Sequence, residues 1–197
     1  MDMNCNIPQT IDIDAIEVYT IDIKSKKLWF IVFFLGGGDV QTERTCCFVG
    51  HRTIEERAEW KTTLYEILER MVTEQGIDTF LFGSKSRFND VCYEIVTHLK
   101  EKYSHIQRVY VRGEFPHIEE SYRRYIAEKY EDTYYPERIL HAGKAVYIER
   151  NREMIDRSRW CVIYYDEKCA PAHRNSGTKA ALAYAVHKGK EIVRFPV

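Results

Sequence analysis

Hydrophobic and polar positions alternate with a period near two at the start of the chain. Ile11 and Ile13 alternate with Asp12 and Asp14, Ile16 and Val18 flank Glu17, and Ile21 and Ile23 flank Asp22. This is the spacing of a strand with one buried face. The phase slips between Ile13 and Ile16 and again between Val18 and Ile21, which predicts a bulge or bend. Lys24-Ser25-Lys26-Lys27 then interrupts the pattern ahead of the apolar run Leu28 to Leu35, so a β-hairpin closed by a polar turn is expected, followed by a flexible Gly36-Gly37-Gly38-Asp39 linker. Residues 1–44 thus read as an N-terminal β-rich extension.

From Thr45 onward, apolar strand-like runs take turns with amphipathic helices, the signature of βαβ units. Strands are predicted at 45–49, 79–82, 108–111, 160–165 and 191–195. The near-continuous apolar run at 160–165 implies burial on both faces of a sheet. Thr53 and Glu56 form a T-x-x-E capping box for a first helix. Its stripe holds Ile54, Ala58, Tyr65, Leu68 and Val72, widened by Leu64 and Met71, and Gly76 suits its end. Phe88, Cys92, Ile95 and Leu99 mark a second helix. Further helices are predicted over 117–129, 147–158 and 178–188, while 130–136 has no clear period and reads as irregular. The fold class is therefore α/β: a Rossmann-like, mainly parallel sheet over residues 45–197 with helices on both faces, plus the β-rich extension.

Composition narrows the setting. A chain of 197 residues with 45% hydrophobic content can bury one substantial core. Lys+Arg at 29 against Asp+Glu at 30 gives a net charge of -1, so no global positive field draws it to nucleic acid, which is disfavoured as a partner. Six cysteines without a C-x-x-C pair give neither a zinc spacing nor a secreted disulfide framework, so reduced thiols, no metal and a cytoplasmic location are expected. Cys46, Cys47 and Cys161 lie inside apolar runs and are assigned to the core. The most apolar run, Leu28 to Leu35, is far shorter than the ~20 residues a membrane span requires. Residues 1–13 carry Asp2 and Asp12 and no Lys or Arg, unlike an export leader, so no membrane partner is expected.

Loops leaving the carboxyl ends of parallel strands converge on one edge, where ligands bind. Gly50-His51-Arg52 places an imidazole and a guanidinium ahead of a helix, and Arg52 has the geometry to pair with phosphate; a tight turn with solvated polar side chains gives the same letters. Gly83-Ser84-Lys85-Ser86-Arg87 offers amides for an anion concavity but lacks the Gly-Lys-Ser/Thr of a Walker A loop, so taken by itself an ordinary polar loop is the readier reading. The strand at 160–165 ends at Asp166, and Asn175-Ser176-Gly177-Thr178 opens the last helix, where free amides and the helix dipole favour an anion; a plain Ser/Thr cap is the alternative. Arg150 and Asn151 sit near a helix start, where a cation opposes the macrodipole unless a phosphate or a nearby carboxylate offsets it. The tyrosines at 122, 125, 130, 134 and 135 suit stacking on a base or packing in a core or dimer interface. No triad of nucleophile, base and orienting acid can be nominated.

Taken together, Cys47-Phe48-Val49-Gly50-His51-Arg52, then Gly83 to Asn89, then Tyr147-x-x-Arg150-Asn151-x-x-Met154-Ile155-Asp156, then Ser176-Gly177-Thr178 with Tyr184-Ala185 resemble the SLOG superfamily. The likeness is to its stand-alone bacterial proteins, relatives of the Smf/DprA and LOG proteins, and covers roughly 45–197. It implies a Rossmann-like, self-associating protein, a homodimer or larger, that binds a nucleotide-type small molecule, NAD-derived or cyclic ligands included. The matching positions are Gly50, Arg52, Gly83, Ser84, Arg150, Asn151, Gly177 and Thr178. LOG enzymes carry a glutamate where this chain has Ala181, so a binding protein without a further cofactor is expected rather than the alternative, a nucleoside monophosphate phosphoribohydrolase. Lys85, Arg87 and Asn89 replace a loop that is glycine-rich and acidic in many relatives, favouring a more anionic ligand.

Overall fold

The structure, a computed structural model, describes residues 16–23, 26–33, 40–83, 85–114, 117–167 and 176–195. The predicted Gly36–Asp39 linker, Ser84 and Asn175 lie outside them, as do residues 24–25 of the polar turn predicted over 24–27, whose Lys26 and Lys27 instead open β2. Eight strands form one sheet: β1 (Ile16–Ile23), β2 (Lys26–Phe33), β3 (Thr45–Gly50), β4 (Thr79–Phe82), β5 (Gln107–Val111), β6 (Asp132–Tyr134), β7 (Trp160–Tyr164) and β8 (Glu191–Phe195), in the order β1-β2-β8-β7-β3-β4-β5-β6. The six strands from β3 to β8 are all parallel, and the hairpin β1–β2 adds antiparallel to β8 through Ile31 opposite Ile192. This is a Rossmann-like α/β arrangement. The helices are α1 (Val40–Glu43), α2 (Ala58–Thr73), α3 (Arg87–Lys102), α4 (Glu120–Lys129), α5 (Val146–Asp156) and α6 (Gly177–His187).

Side chains on successive strand residues point to opposite faces, and the core divides accordingly. Phe48, Phe80, Phe82, Val162 and Tyr164 pack with α2 and α3 on one face. Cys47, Val49, Leu81, Val111, Cys161 and Ile163 pack with Met154 and Ile155 of α5 and Ala181 and Ala185 of α6 on the other. Every residue of β7 is buried, as its apolar run predicts. Cys46, Cys47 and Cys161 are fully buried free thiols, with Cys47 Sγ 3.6 Å from Cys161 Sγ across β3 and β7. No helix among the described residues is long and apolar enough to cross a membrane.

Three local expectations need correction. Helix α2 begins at Ala58, and its N-cap Arg57 makes no side-chain cap, so the Thr53–Glu56 capping box does not form. The Glu56 carboxylate is taken instead by Arg87 and Lys61. Residues 132–134, read as irregular, form the edge strand β6, drawn into the sheet by pairing with β5. Within 16–23 there is no bulge at the phase slip after Val18, because each residue from Ile16 to Ile23 pairs in unbroken register with β2 and the backbone ladder overrides the side-chain pattern.

Candidate functional site

Strand β3 is flanked by β4 on one side and β7 on the other, and the chain leaves it in both directions, so the sheet reverses order there. The crevice above such a reversal is where an open parallel sheet accepts ligands. Helices α2 to α6 each run back against the strands they follow, so their N-termini gather at the same edge.

The loops after β3 and β4 are fastened together. A Cβ on Gly50 would lie 2.4–2.6 Å from Cδ1, Cγ and Cβ of Phe88, so the first turn of α3 presses on the end of β3. The Arg87 N–H donates to the Arg52 carbonyl at 3.0 Å. Buried Asn89 donates to the Phe48 carbonyl and accepts from the Gly83 N–H, both at 3.4 Å, tying the two strand ends. Ser86 caps α3 by accepting from the Asn89 N–H at 3.3 Å. Bonds from Arg87 and then Lys61 hold the Glu56 carboxyl down at about 2, so this exposed link between the loops stays charged through the neutral and mildly acidic range.

His51 joins the loop after β3 to the loop after β7. It is buried beside Tyr164 and Tyr165, with Nε2 3.1 Å from the Asp166 N and 3.2 Å from its carbonyl oxygen. A neutral Nε2 accepts the Asp166 N–H; a protonated one donates to the carbonyl. Arg52 is exposed at the end of its loop.

Arg150 is the unusual cation. It rises from the start of α5, is only 4% exposed, and lies against the ends of β4 and β5. A Cβ on Gly83 would meet its Nε at 3.0 Å, and a Cβ on Gly113 its Nη1 at 3.2 Å. Its guanidinium sits over the Tyr147 ring at 5.4 Å, and Nη2 donates to Asn151 Oδ1 at 3.1 Å. Its Nε has no acceptor, and no described carboxylate makes a salt bridge with it. Burial pushes its pKa down, only partly countered by Tyr110, Glu114 and Tyr147. Glu114 is held nearby: it accepts from Tyr110 Oη at 3.1 Å and from the Gly113 N–H at 3.2 Å, with Lys85 Nζ at 3.6 Å.

Helix α6 starts at the same edge. Ser176 is its N-cap, accepting from the Lys179 N–H at 3.4 Å, Thr178 is buried, and Gly177 is exposed with nothing within 4 Å of where a Cβ would sit. Thus Gly50, His51, Arg52, Gly83, Lys85, Arg150, Asn151 and Asp166 are brought together by direct contacts, whereas Ser176 to Thr178 share the edge by topology.

Tyr110, Gly113 and Glu114 lie around Arg150 and were missed from sequence, and Tyr147 was read there only as part of a motif. One signal was present: Val111-Arg112-Gly113-Glu114 is a third strand end passing into glycine, like Val49-Gly50 and Phe82-Gly83. Asn89 carried another, a polar residue between Phe88 and Cys92 on a buried helical stripe. A cleft of about 810 Å³ adjoins this edge between α3 and α4, with Arg52, Lys85 and five tyrosines among its lining residues. Among the described residues no group of three or more His, Cys, Asp or Glu side chains is placed to hold a metal ion. Compared with known proteins, the chain matches no protein-family model and no curated protein.

Proposed function

We propose that this protein binds a nucleotide or nucleotide-derived anion at the carboxyl edge of its parallel sheet, holding it rather than consuming it. The observation that carries this is the buried Arg150 guanidinium with an unpaired Nε, lodged between the glycines that end β4 and β5. A buried charge that is only partly compensated is costly, and a phosphate supplies both an opposite charge and a bidentate acceptor. The N-terminus of α6 offers further donors at the same edge. The SLOG-like motifs fall on the ends of β3 and β4, on α5 and on α6 with its N-cap, the elements that border this edge.

Binding is favoured over N-glycosidic hydrolysis by the surroundings of position 181. Ala181 is 4% exposed and packed between α6 and the sheet, so a carboxylate there would be buried among apolar side chains.

Thermal unfolding with AMP, ADP-ribose, NAD and cyclic dinucleotides tests the proposal. A ligand at a hundred times its dissociation constant adds ~2.7 kcal/mol, which for a chain of this size raises the midpoint by about 5–10 °C. Arg150→Met is expected to leave the ligand-free protein as stable as wild type or more so, because it removes a buried charge that Asn151, Tyr147 and Glu114 only partly compensate, yet to abolish the ligand-induced rise. Loss of stability in the ligand-free variant with the rise intact would mean that Arg150 is structural and the anion binds elsewhere.

A further inference from the structure

We propose that His51 is a proton-operated switch at the sheet reversal: one ring nitrogen accepts the Asp166 N–H when neutral and donates to the Asp166 carbonyl when protonated, so that pH resets the join between β3 and β7. This inference stands apart from the anion-binding proposal and is tested without ligand.

The imidazole takes over where the backbone ladder stops. The parallel register of β3 and β7 runs from Cys46 opposite Trp160 to Gly50 opposite Tyr164. Just beyond it, the contact between the two segments passes to His51 Nε2, 3.1 Å from the Asp166 N and 3.2 Å from the Asp166 carbonyl oxygen. These partners make opposite demands on one nitrogen: the N–H requires a lone pair there, and the carbonyl requires a proton. The surroundings hold the ring while the demand changes. His51 is 8% exposed, edge-on to the Tyr164 ring at 6.1 Å and 5.4 Å from that of Tyr165. Phe88 presses on Gly50, and the Arg52 carbonyl accepts from the Arg87 N–H at 3.0 Å. Across the join, the Tyr165 N–H donates to the Phe195 carbonyl at 2.7 Å. With Gly50, Arg52 and Tyr165 fixed, the Asp166 backbone is what answers a change at Nε2.

Other titratable groups stand near this join. Its own loop brings exposed Arg52, and Glu55, which pairs with Arg57 at 2.8 Å. The end of β7 brings Tyr164, Tyr165, Asp166 and Glu167, and β8 brings Arg194, which lies over the Tyr165 ring at 5.5 Å and 3.6 Å from Glu167. Helices α2 and α3 set the rings of Trp60 and Phe88 against Tyr164. Glu55 and Glu167 are thus each answered by an arginine, and Asp166 is the acid whose own titration has to be separated from that of His51. Imidazole is the side chain whose charge changes across about pH 5 to 8. Its proton also adds one positive charge to the edge that carries Arg52 and Arg150.

The test titrates the full chain, without ligand, across about pH 5 to 8 and follows it by NMR. The Asp166 amide shift is expected to move with the same midpoint as the His51 ring protons. Its exchange protection, corrected for the intrinsic rate at each pH, should be about two- to tenfold lower on the acid side, because the N–H loses this acceptor. His51→Gln, which offers a side chain that does not titrate, should leave shift and protection flat. Asp166→Asn keeps the backbone partners and removes the carboxylate, so both changes should persist in it with the same midpoint. An Asp166 amide that stays flat while the ring titrates would overturn the switch, since Nε2 then donates to the carbonyl in both states. A ring that remains neutral across the range, or an amide change that survives in His51→Gln, would overturn it equally.

Discussion

Gly50, at the end of β3, and Gly177, at the start of α6, read alike in sequence as loop glycines, yet their surroundings oppose each other. Gly50 is required by the Phe88 ring, against which a methyl group would clash at 2.4–2.6 Å. Gly50→Ala is therefore expected to cost about 1–3 kcal/mol in chemical denaturation, with part of the loss recovered in the Phe88→Leu background. Gly177 faces open space, so Gly177→Ala should be neutral or stabilise by up to ~1 kcal/mol through helix propensity. If it also weakens ligand, close approach of the ligand to that backbone is the remaining reason for a glycine. Ala181→Glu, at a buried position, should lower the melting midpoint by more than either glycine change. Arg150 marks the limit of reading such residues from sequence. Its place near a helix start was visible, but its burial comes from Gly83 and Gly113, on strands 67 and 37 residues earlier, and chain order does not reveal that approach.

Among elements, α5 is held down by a charged cluster. Arg138, from the short 3-10 turn Glu137–Ile139, meets Glu149, Glu153 and Asp156 along one side of α5, and Asp156 also takes Lys188 at 3.2 Å and the Tyr184 hydroxyl at 3.0 Å from α6. Partial burial pushes the Asp156 carboxyl up, but bonds from Arg138, Lys188 and Tyr184 more than reverse this, so its folded pKa lies below the ordinary value. A depressed pKa contributes stability that is complete above the unfolded value of about 4 and is lost as pH falls through the folded one. Stability is thus expected to decline with acidification below pH about 4, and Arg138→Met should flatten that part of the curve while costing about 1 kcal/mol at neutral pH. Apart from β6, the strands and helices from β3 onward were legible because each carries an apolar stripe or run long enough to recognise, as β7 does over its buried run. Strand β6 was not, since three residues carry no period and its pairing with β5 supplies the order. The capping box failed for a related reason: Glu56 is claimed by Arg87, 31 residues away, and a local motif cannot register that competition.

At the scale of the whole molecule, the six parallel strands carry both core clusters, while the hairpin β1–β2 attaches along β8. Residues 40–197 alone are expected to unfold cooperatively with a midpoint within a few degrees of the full chain. They should self-associate more, because removing β2 uncovers the backbone edge of β8. Circular dichroism melts and light scattering over a concentration series would check both; a truncated chain lacking cooperative unfolding would show that the hairpin is integral to the core. The opposite margin of the sheet behaves differently. β6 offers three residues and is followed within two positions by Pro136, which has no N–H to give. No foreign strand finds a usable template there, so the sheet cannot be lengthened from that side into a fibre or shared across two subunits. On the helical layer, by contrast, Ile148 of α5 and Val186 of α6 face solvent.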